Sequence, residues 1–240
     1  MNVAKWKDVW RRFSGRGTYP HEFAVMLLFP LRRIVLSPER LIRQLHLTCT
    51  ARVLEVGPGP GFFSIHVARA IPQGRLELVD IQREMLQTAR RRLRGAGVQN
   101  AGHTQANAVK LPFQSGTFDV AFLVAVLGEV PDPKACLTSI ADVLRPGGLL
   151  FVAELPGDPD ALSEEQLRNL TQGTGFEFVE SARVSLSVIT SFRRQAKNLG
   201  TMNCLTATGA DGPCDHVAVE WLKPGVAGQT HLTTLEKSGW

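Results

Sequence analysis

The ten residues Arg52-Val-Leu-Glu-Val-Gly-Pro-Gly-Pro-Gly61 constrain the fold more than any other stretch of the chain. An apolar run with two valines ends in three glycines at alternate positions, and a helical pattern from Phe62 to Ile71 follows at once. Glycine has no Cβ, so the backbone can turn with positive φ and another molecule can approach it closely. The start of the following helix adds backbone N–H groups without partners inside the helix. A strand over Arg52 to Gly57, a glycine turn and a helix in that order predict a ligand-binding turn at the edge of a sheet.

The same rhythm continues to about Leu155, with short β-branched runs alternating with helical ones as in stacked βαβ units. The patterns predict strands over Arg75 to Asp80, His103 to Ala106, Phe118 to Val124 and Leu149 to Glu154. They predict helices over Arg83 to Arg94, ended by Gly95, and over Pro133 to Leu144, with a turn at Pro146-Gly147-Gly148. Ser163 and Gln166 have the spacing of a capping box, and Phe176 to Val179 and Val184 to Ile189 are apolar enough for two closing strands.

This organisation divides the chain into a basic N-terminal segment, 1–45, a central domain, 46–194, and a loosely structured tail, 195–240, rich in Gly and Thr. With 240 residues and 44% hydrophobic content there is material for one sizeable core. The first 50 residues carry nine cationic and three acidic side chains, an excess of six against a net charge of +5 for the whole chain. Basic character concentrated there weakly favours an anionic surface or substrate at that end. Trp6, Trp10 and Phe13 lie at helical spacing among these cations, which suits a lid packed on the domain and, less well, weak membrane-surface contact.

The four cysteines form no CxxC pair, and the start of the chain has no apolar h-region, so the expected setting is the reducing cytoplasm. The longest early apolar stretch, Phe23 to Leu31, contains Pro30 and falls short of the ~20 residues of a membrane span. Cys136 is in helical register with Ile140 and Leu144 and is expected in the core, and the six histidines lack ligand spacing, so no metal site is predicted.

The glycine spacing narrows the ligand. A dinucleotide turn reads GxGxxG and seats pyrophosphate on the helix start, whereas this one reads GxGxG after an acidic residue, Glu55. A carboxylate beside the turn opposes pyrophosphate and suits a cofactor bearing positive charge.

In this pattern the chain resembles the class I S-adenosylmethionine-dependent methyltransferases, above all the quinone-biosynthesis-like (UbiE-type) group, whose first motif is ExGxGxG. Ala106-Asn-Ala-Val-Lys-Leu-Pro-Phe113 resembles that group's GDAxxLPF segment, Phe118-Asp-Val-Ala-Phe122 its fourth strand and Leu144-Arg-Pro-Gly-Gly148 its turn before strand five. The resemblance covers roughly Leu45 to Arg194. It implies an α/β, Rossmann-like sheet of seven mostly parallel strands, helices on both faces and the last strand antiparallel. It also implies S-adenosyl-L-methionine as cofactor, held by Glu55, Gly57, Pro58, Gly59, Gly61, Asp80, Ile81, Asn107, Ala108 and Val124. Asp80 stands where the family's acidic residue accepts from both ribose hydroxyls, and Ile81 where an apolar residue packs on adenine. Asn107 replaces the usual Asp, and its amide oxygen can still accept from the adenine amino group.

The expected activity is methyl transfer to a small, lipophilic or aromatic acceptor. A sulfonium methyl is already activated, so the protein's task is alignment and exclusion of water. A hydroxyl acceptor would also need a base. Glu129, in the loop after the fourth strand, is a candidate, and Tyr19 and His21 are weaker ones. Arg90, Arg91, Arg92 and Arg94 lie late in a helix, where cations are favourable without any ligand, and are expected to be ordinary surface residues. Val124-Ala-Val-Leu-Gly-Glu-Val130 lacks the (D/N)PP(Y/F/W) element of enzymes acting on base amino groups, which disfavours nucleic acid. Alternatives of other classes are a nicotinamide-dependent oxidoreductase and a non-catalytic S-adenosylmethionine-binding protein.

Overall fold

The computed structural model describes residues 35–196. Helix α1 (Pro38–Leu45) is followed by β1 (Arg52–Val56), α2 (Ser64–Ala70), β2 (Arg75–Asp80), α3 (Arg83–Gly95), β3 (Ala101–Gln105) and β4 (Phe118–Val124). A short 3-10 turn at Leu127–Glu129 leads to α4 (Pro133–Val143), β5 (Leu144–Glu154), α5 (Glu164–Thr171), β6 (Phe176–Val184) and β7 (Ser187–Arg194). The seven strands form one sheet in the order β3-β2-β1-β4-β5-β7-β6. All pairings are parallel except those of β7, which runs antiparallel to both β5 and β6. The expected fold class is the observed one.

Strand alternation sorts the central side chains into two cores. Val53, Leu76, Leu78, Phe122 and Phe151 pack with α1, α2 and α3 on one face, and Leu54, Ala121, Leu123, Leu150 and Val152 pack with α4 and α5 on the other. Covering on both faces explains why β1 and β4 read as nearly continuous apolar runs. Alternation also gives the acidic residues their sides: Glu55 and Asp80 share the α2–α3 face, and Glu154 shares the α4–α5 face.

Caps fix the helix starts. Ser37 accepts from the Arg40 N–H at 3.3 Å and Asp132 accepts from the Ala135 N–H at 2.9 Å, each followed by proline in the first turn. Ser163 and Gln166 form the expected reciprocal capping box.

Several boundaries differ from the sequence expectations, each for a tertiary reason. Helix α3 runs through Gly95, because the left-handed turn falls at Gly97 (φ 73°) and the Ala96 N–H still reaches the Arg92 carbonyl. Strand β3 spans Ala101–Gln105, set by its register against β2 rather than by its own weak pattern. The Pro146-Gly147-Gly148 turn is an irregularity within β5, which pairs Leu144 with Phe118 before resuming at Leu149 and Val120. The stretch Val184 to Ile189 is divided by a hairpin turn in which Ser185 has φ 60°, so β6 ends at Val184 and β7 begins at Ser187.

Candidate active site

The parallel strands end on one edge, where open α/β sheets hold their ligands, and β1 and β4 are the neighbours at its centre. Gly57, Gly59 and Gly61 follow β1 with φ of 67°, 53° and 76°, left-handed values at alternate positions that other residues adopt only with strain. The Gly57 N–H donates to the Val79 carbonyl at 2.8 Å and the Gly61 N–H to the Pro58 carbonyl at 3.0 Å. Gly57 also needs its missing side chain, since a Cβ there would lie 2.5 Å from a methyl group of Val126. A Cβ at Gly61 would lie 3.0 Å from that of Ala89, so this glycine lets α3 approach the turn.

Acidic residues stand on either side of the turn. Glu55 is buried and accepts from the Ser64 hydroxyl at 2.6 Å, which ties the end of β1 to the first turn of α2. Asp80, at the end of β2, accepts from the Gln82 N–H at 2.8 Å and from the N–H groups of Gly59 and Ile81. Burial pushes its pKa up to about 6, against the lowering effect of those N–H groups. The Gly59 contact places Asp80 directly beside the glycine turn. Ile81 is next along the chain and is 50% exposed, an apolar side chain lying free at the sheet edge.

Asn107 is exposed in the loop after β3, with its side-chain oxygen accepting from the Val109 N–H at 3.1 Å, and Ala108 beside it is half-buried. The loop is drawn to Asp80 by the Ala106 N–H, which donates to the Asp80 carbonyl at 3.2 Å. Val124 is largely buried in the α2–α3 core at the end of β4. Glu129 is half-buried in the 3-10 turn beyond it. Tyr19 and His21 lie outside the described residues, as does the Trp6, Trp10 and Phe13 stripe.

Three neighbours of the turn were not anticipated from the sequence. Ser64 reads as an ordinary helix residue, and only the packing brings it to Glu55. Val126 is the side chain that Gly57 must avoid. Arg92, expected as a surface residue like its neighbours, is half-buried and donates to the Pro60 carbonyl at 2.7 Å, clamping the turn from α3. Its position three residues after the buried Ala89 was the available signal.

Cys136 is in the core as expected, where burial pushes its thiol up to about 12 and removes it from thiolate chemistry. Among the described residues no three His, Cys, Asp or Glu side chains gather in a way that could hold a metal ion, and no helix is long and apolar enough to cross a membrane. A cleft of about 770 Å³ between the segment at Lys110 and Phe113 and the α4 residues Ser139 and Asp142 shares no residue with the glycine turn.

The site fits a nucleoside cofactor with a cationic centre. A side-chain-free turn admits close contact, a buried carboxylate with no cation among its hydrogen-bond partners awaits hydroxyl donors, and an exposed apolar residue offers a surface to a flat base.

Known proteins agree with this class. Residues 53–148 match the methyltransferase-domain family. The fold is shared with a SAM-dependent methyltransferase from Aquifex aeolicus (TM-score 0.69, 20% identity, 73% of this chain and 98% of that one) and with the [4+2]-cyclase SpnF (TM-score 0.60, 20% identity, 66% and 79%). Residues 53–148 thus carry the sequence pattern of a methyltransferase domain, and the likeness to the solved structures is one of fold.

More particularly, the chain is similar to the ubiquinone/menaquinone biosynthesis C-methyltransferase UbiE of Pasteurella multocida (strain Pm70), with 40% identity over 105 residues, 43% of this chain and 39% of that protein. The chain thus spans about two fifths of the length of such relatives. The nicotinamide-dependent and non-catalytic alternatives are not favoured by these matches.

Proposed function

We propose that the chain transfers a methyl group from S-adenosylmethionine to a small lipophilic or aromatic acceptor. The observation that carries this reading is the left-handed glycine turn hydrogen-bonded to the buried Asp80. Bound S-adenosylmethionine supplies a methyl carbon activated by its positive sulfur. The chain's own residues then have to bind, align and exclude water.

In this reading Asp80 accepts from the ribose hydroxyls, Ile81 covers one face of adenine, and Asn107 and Ala108 close its edge. Gly57, Pro58, Gly59 and Gly61 shape the seat, and Val124 backs it from β4. Glu55 acts from beneath, through its bond to Ser64 and the negative charge it contributes. Glu129 is the candidate base for a hydroxyl acceptor.

The names of the UbiE relatives, C-methyltransferases of ubiquinone and menaquinone biosynthesis, support an aromatic ring of the quinol type as acceptor. The same reading assigns residues 1–45 to a basic lid on the acceptor side with weak membrane-surface contact. It assigns 46–194 to the catalytic domain and 195–240 to a loose tail, and places the protein in the cytoplasm.

Calorimetric titration with S-adenosylhomocysteine, beside an Asp80→Ala variant and an NAD control, tests the cofactor assignment. Saturable binding that weakens in the variant, with none to NAD, is expected. A folded protein that binds NAD and not S-adenosylhomocysteine would sink it.

A further inference from the structure

Strand β5 ends in a carboxylate for which the cofactor reading has no use. Glu154 is 8% exposed, and its Oε1 is buried without a hydrogen-bond partner, one of two such side-chain atoms among the described residues. Burial and the nearby Asp158 carboxylate push its pKa up to about 8, against the lowering effect of the Leu162 N–H. A buried oxygen left unpaired has lost its water and gained nothing in return, so a glutamate there needs a reason that the fold does not provide.

Its place suggests one. Ala153, just before it, pairs with Val124 at the end of β4, so Glu154 stands on the ligand-holding edge one strand beyond the two that flank the glycine turn. The segments above form a connected layer. Val126 packs against Gly57, Gly128 lies so close to the Asp160 carbonyl that no Cβ fits, and Leu162 donates to Glu154. The turn, the loop after β4 and the loop after β5 are thus stacked in sequence, with Glu154 at the end away from Asp80.

We propose that Glu154 is the polar group of the acceptor site, a carboxyl whose spare Oε1 hydrogen-bonds a hydroxyl or carbonyl oxygen on the methyl acceptor. In its protonated form a carboxyl both donates and accepts, so it can hold either kind of oxygen. The proposal rests on the methyl-transfer reading and extends it to the acceptor: an oxygen-bearing ring is selected over a plain hydrocarbon one.

The test uses the full chain, Glu154→Leu and Glu154→Gln variants, labelled S-adenosylmethionine and 1,4-naphthohydroquinone kept reduced as the acceptor probe. S-adenosylhomocysteine titration comes first, and its failure in the wild type counts against the methyl-transfer reading alone. With that binding intact and equal in all three proteins, kcat/KM for the probe is expected to fall about tenfold or more in Glu154→Leu, with the glutamine variant between the two. Transfer equal to wild type in Glu154→Leu overturns the proposal.

Melting temperature is the second readout and needs no acceptor. The glutamine variant keeps an acceptor for the Leu162 N–H and alters only the unpaired end, so its melting temperature is expected to equal or exceed that of the wild type. A fall of several degrees in the glutamine variant identifies Glu154 as a structural residue and overturns the proposal whatever the probe does.

Discussion

The two halves of the sheet's carboxyl edge are built by different means. At the β1–β2 end the polar groups are engaged: Glu55 by Ser64, Asp80 by three backbone N–H groups, and the Pro60 carbonyl by Arg92. At the β4–β5 end Ala125 has a positive φ of 54° and Glu154 keeps an unpaired oxygen. A rigid, satisfied half suits a ligand that is the same in every turnover. A half with strain and an unused hydrogen-bonding group suits a site completed by whatever it binds.

The largest expected effect breaks the first half outright. Gly57→Val adds side-chain bulk at 2.5 Å from Val126 and forces a left-handed φ on a β-branched residue. Strain and overlap together exceed about 3 kcal/mol, so S-adenosylhomocysteine affinity measured by calorimetry should fall about a hundredfold or more. Adding Val126→Ala should recover the overlap part only. Normal binding by the single variant would mean that this turn is not the cofactor seat.

Next in size is Asp80→Ala. Loss of charge-assisted hydrogen bonds at about 1.5–3 kcal/mol predicts roughly ten- to hundredfold weaker binding, beside a fall in melting temperature from the three backbone N–H groups left without an acceptor. Binding equal to wild type in the folded variant would make Asp80 a residue of the fold alone, one that only anchors the turn.

Acidity probes the same group without mutation. The pKa of Asp80 in the folded protein, about 6, lies above its ordinary value, so the carboxyl binds a proton as the pH falls through that point. Ribose hydroxyls donate more strongly to the carboxylate, with its two charged accepting oxygens, than to the protonated carboxyl, which turns one of them into a donor. Affinity should therefore be full above about pH 7 and roughly tenfold lower at pH 5, and the Asp80→Ala variant should lack that step. An unchanged pH profile in the variant would assign the step to another group.

The smallest effect sharpens the role of the clamp. Arg92→Met removes one hydrogen bond to the Pro60 carbonyl while keeping the stem, and about 1 kcal/mol corresponds to a several-fold loss of cofactor affinity. Arg91→Met, at an exposed position one residue earlier, should do nothing. Equal effects would show that general positive charge matters rather than the clamp.

Much of the first half was legible because its signals are local. Three glycines at alternate positions after an apolar strand declare a turn, and Asp80 declares the end of the next strand, whatever the rest of the molecule does. The second half was not legible. Glu154 reads as an ordinary strand end, and its significance lies in what does not reach its Oε1. Arg92 looked like its exposed neighbours because four arginines crowd the same stretch, and only the approach of α3 to the turn selects one of them.

By itself, then, the sequence determined the order of strands and helices, the glycine turn and the acidic residues that flank it, since periodicity, glycine conformation and strand ends are written within a dozen residues. The tertiary structure decided which arginine clamps the turn, which side chain Gly57 must avoid, where β6 gives way to β7, and that Glu154 is left with an unpaired oxygen. Those facts depend on contacts between segments far apart in the chain. Close packing fixes them through distances of a few tenths of an ångström that no local pattern encodes.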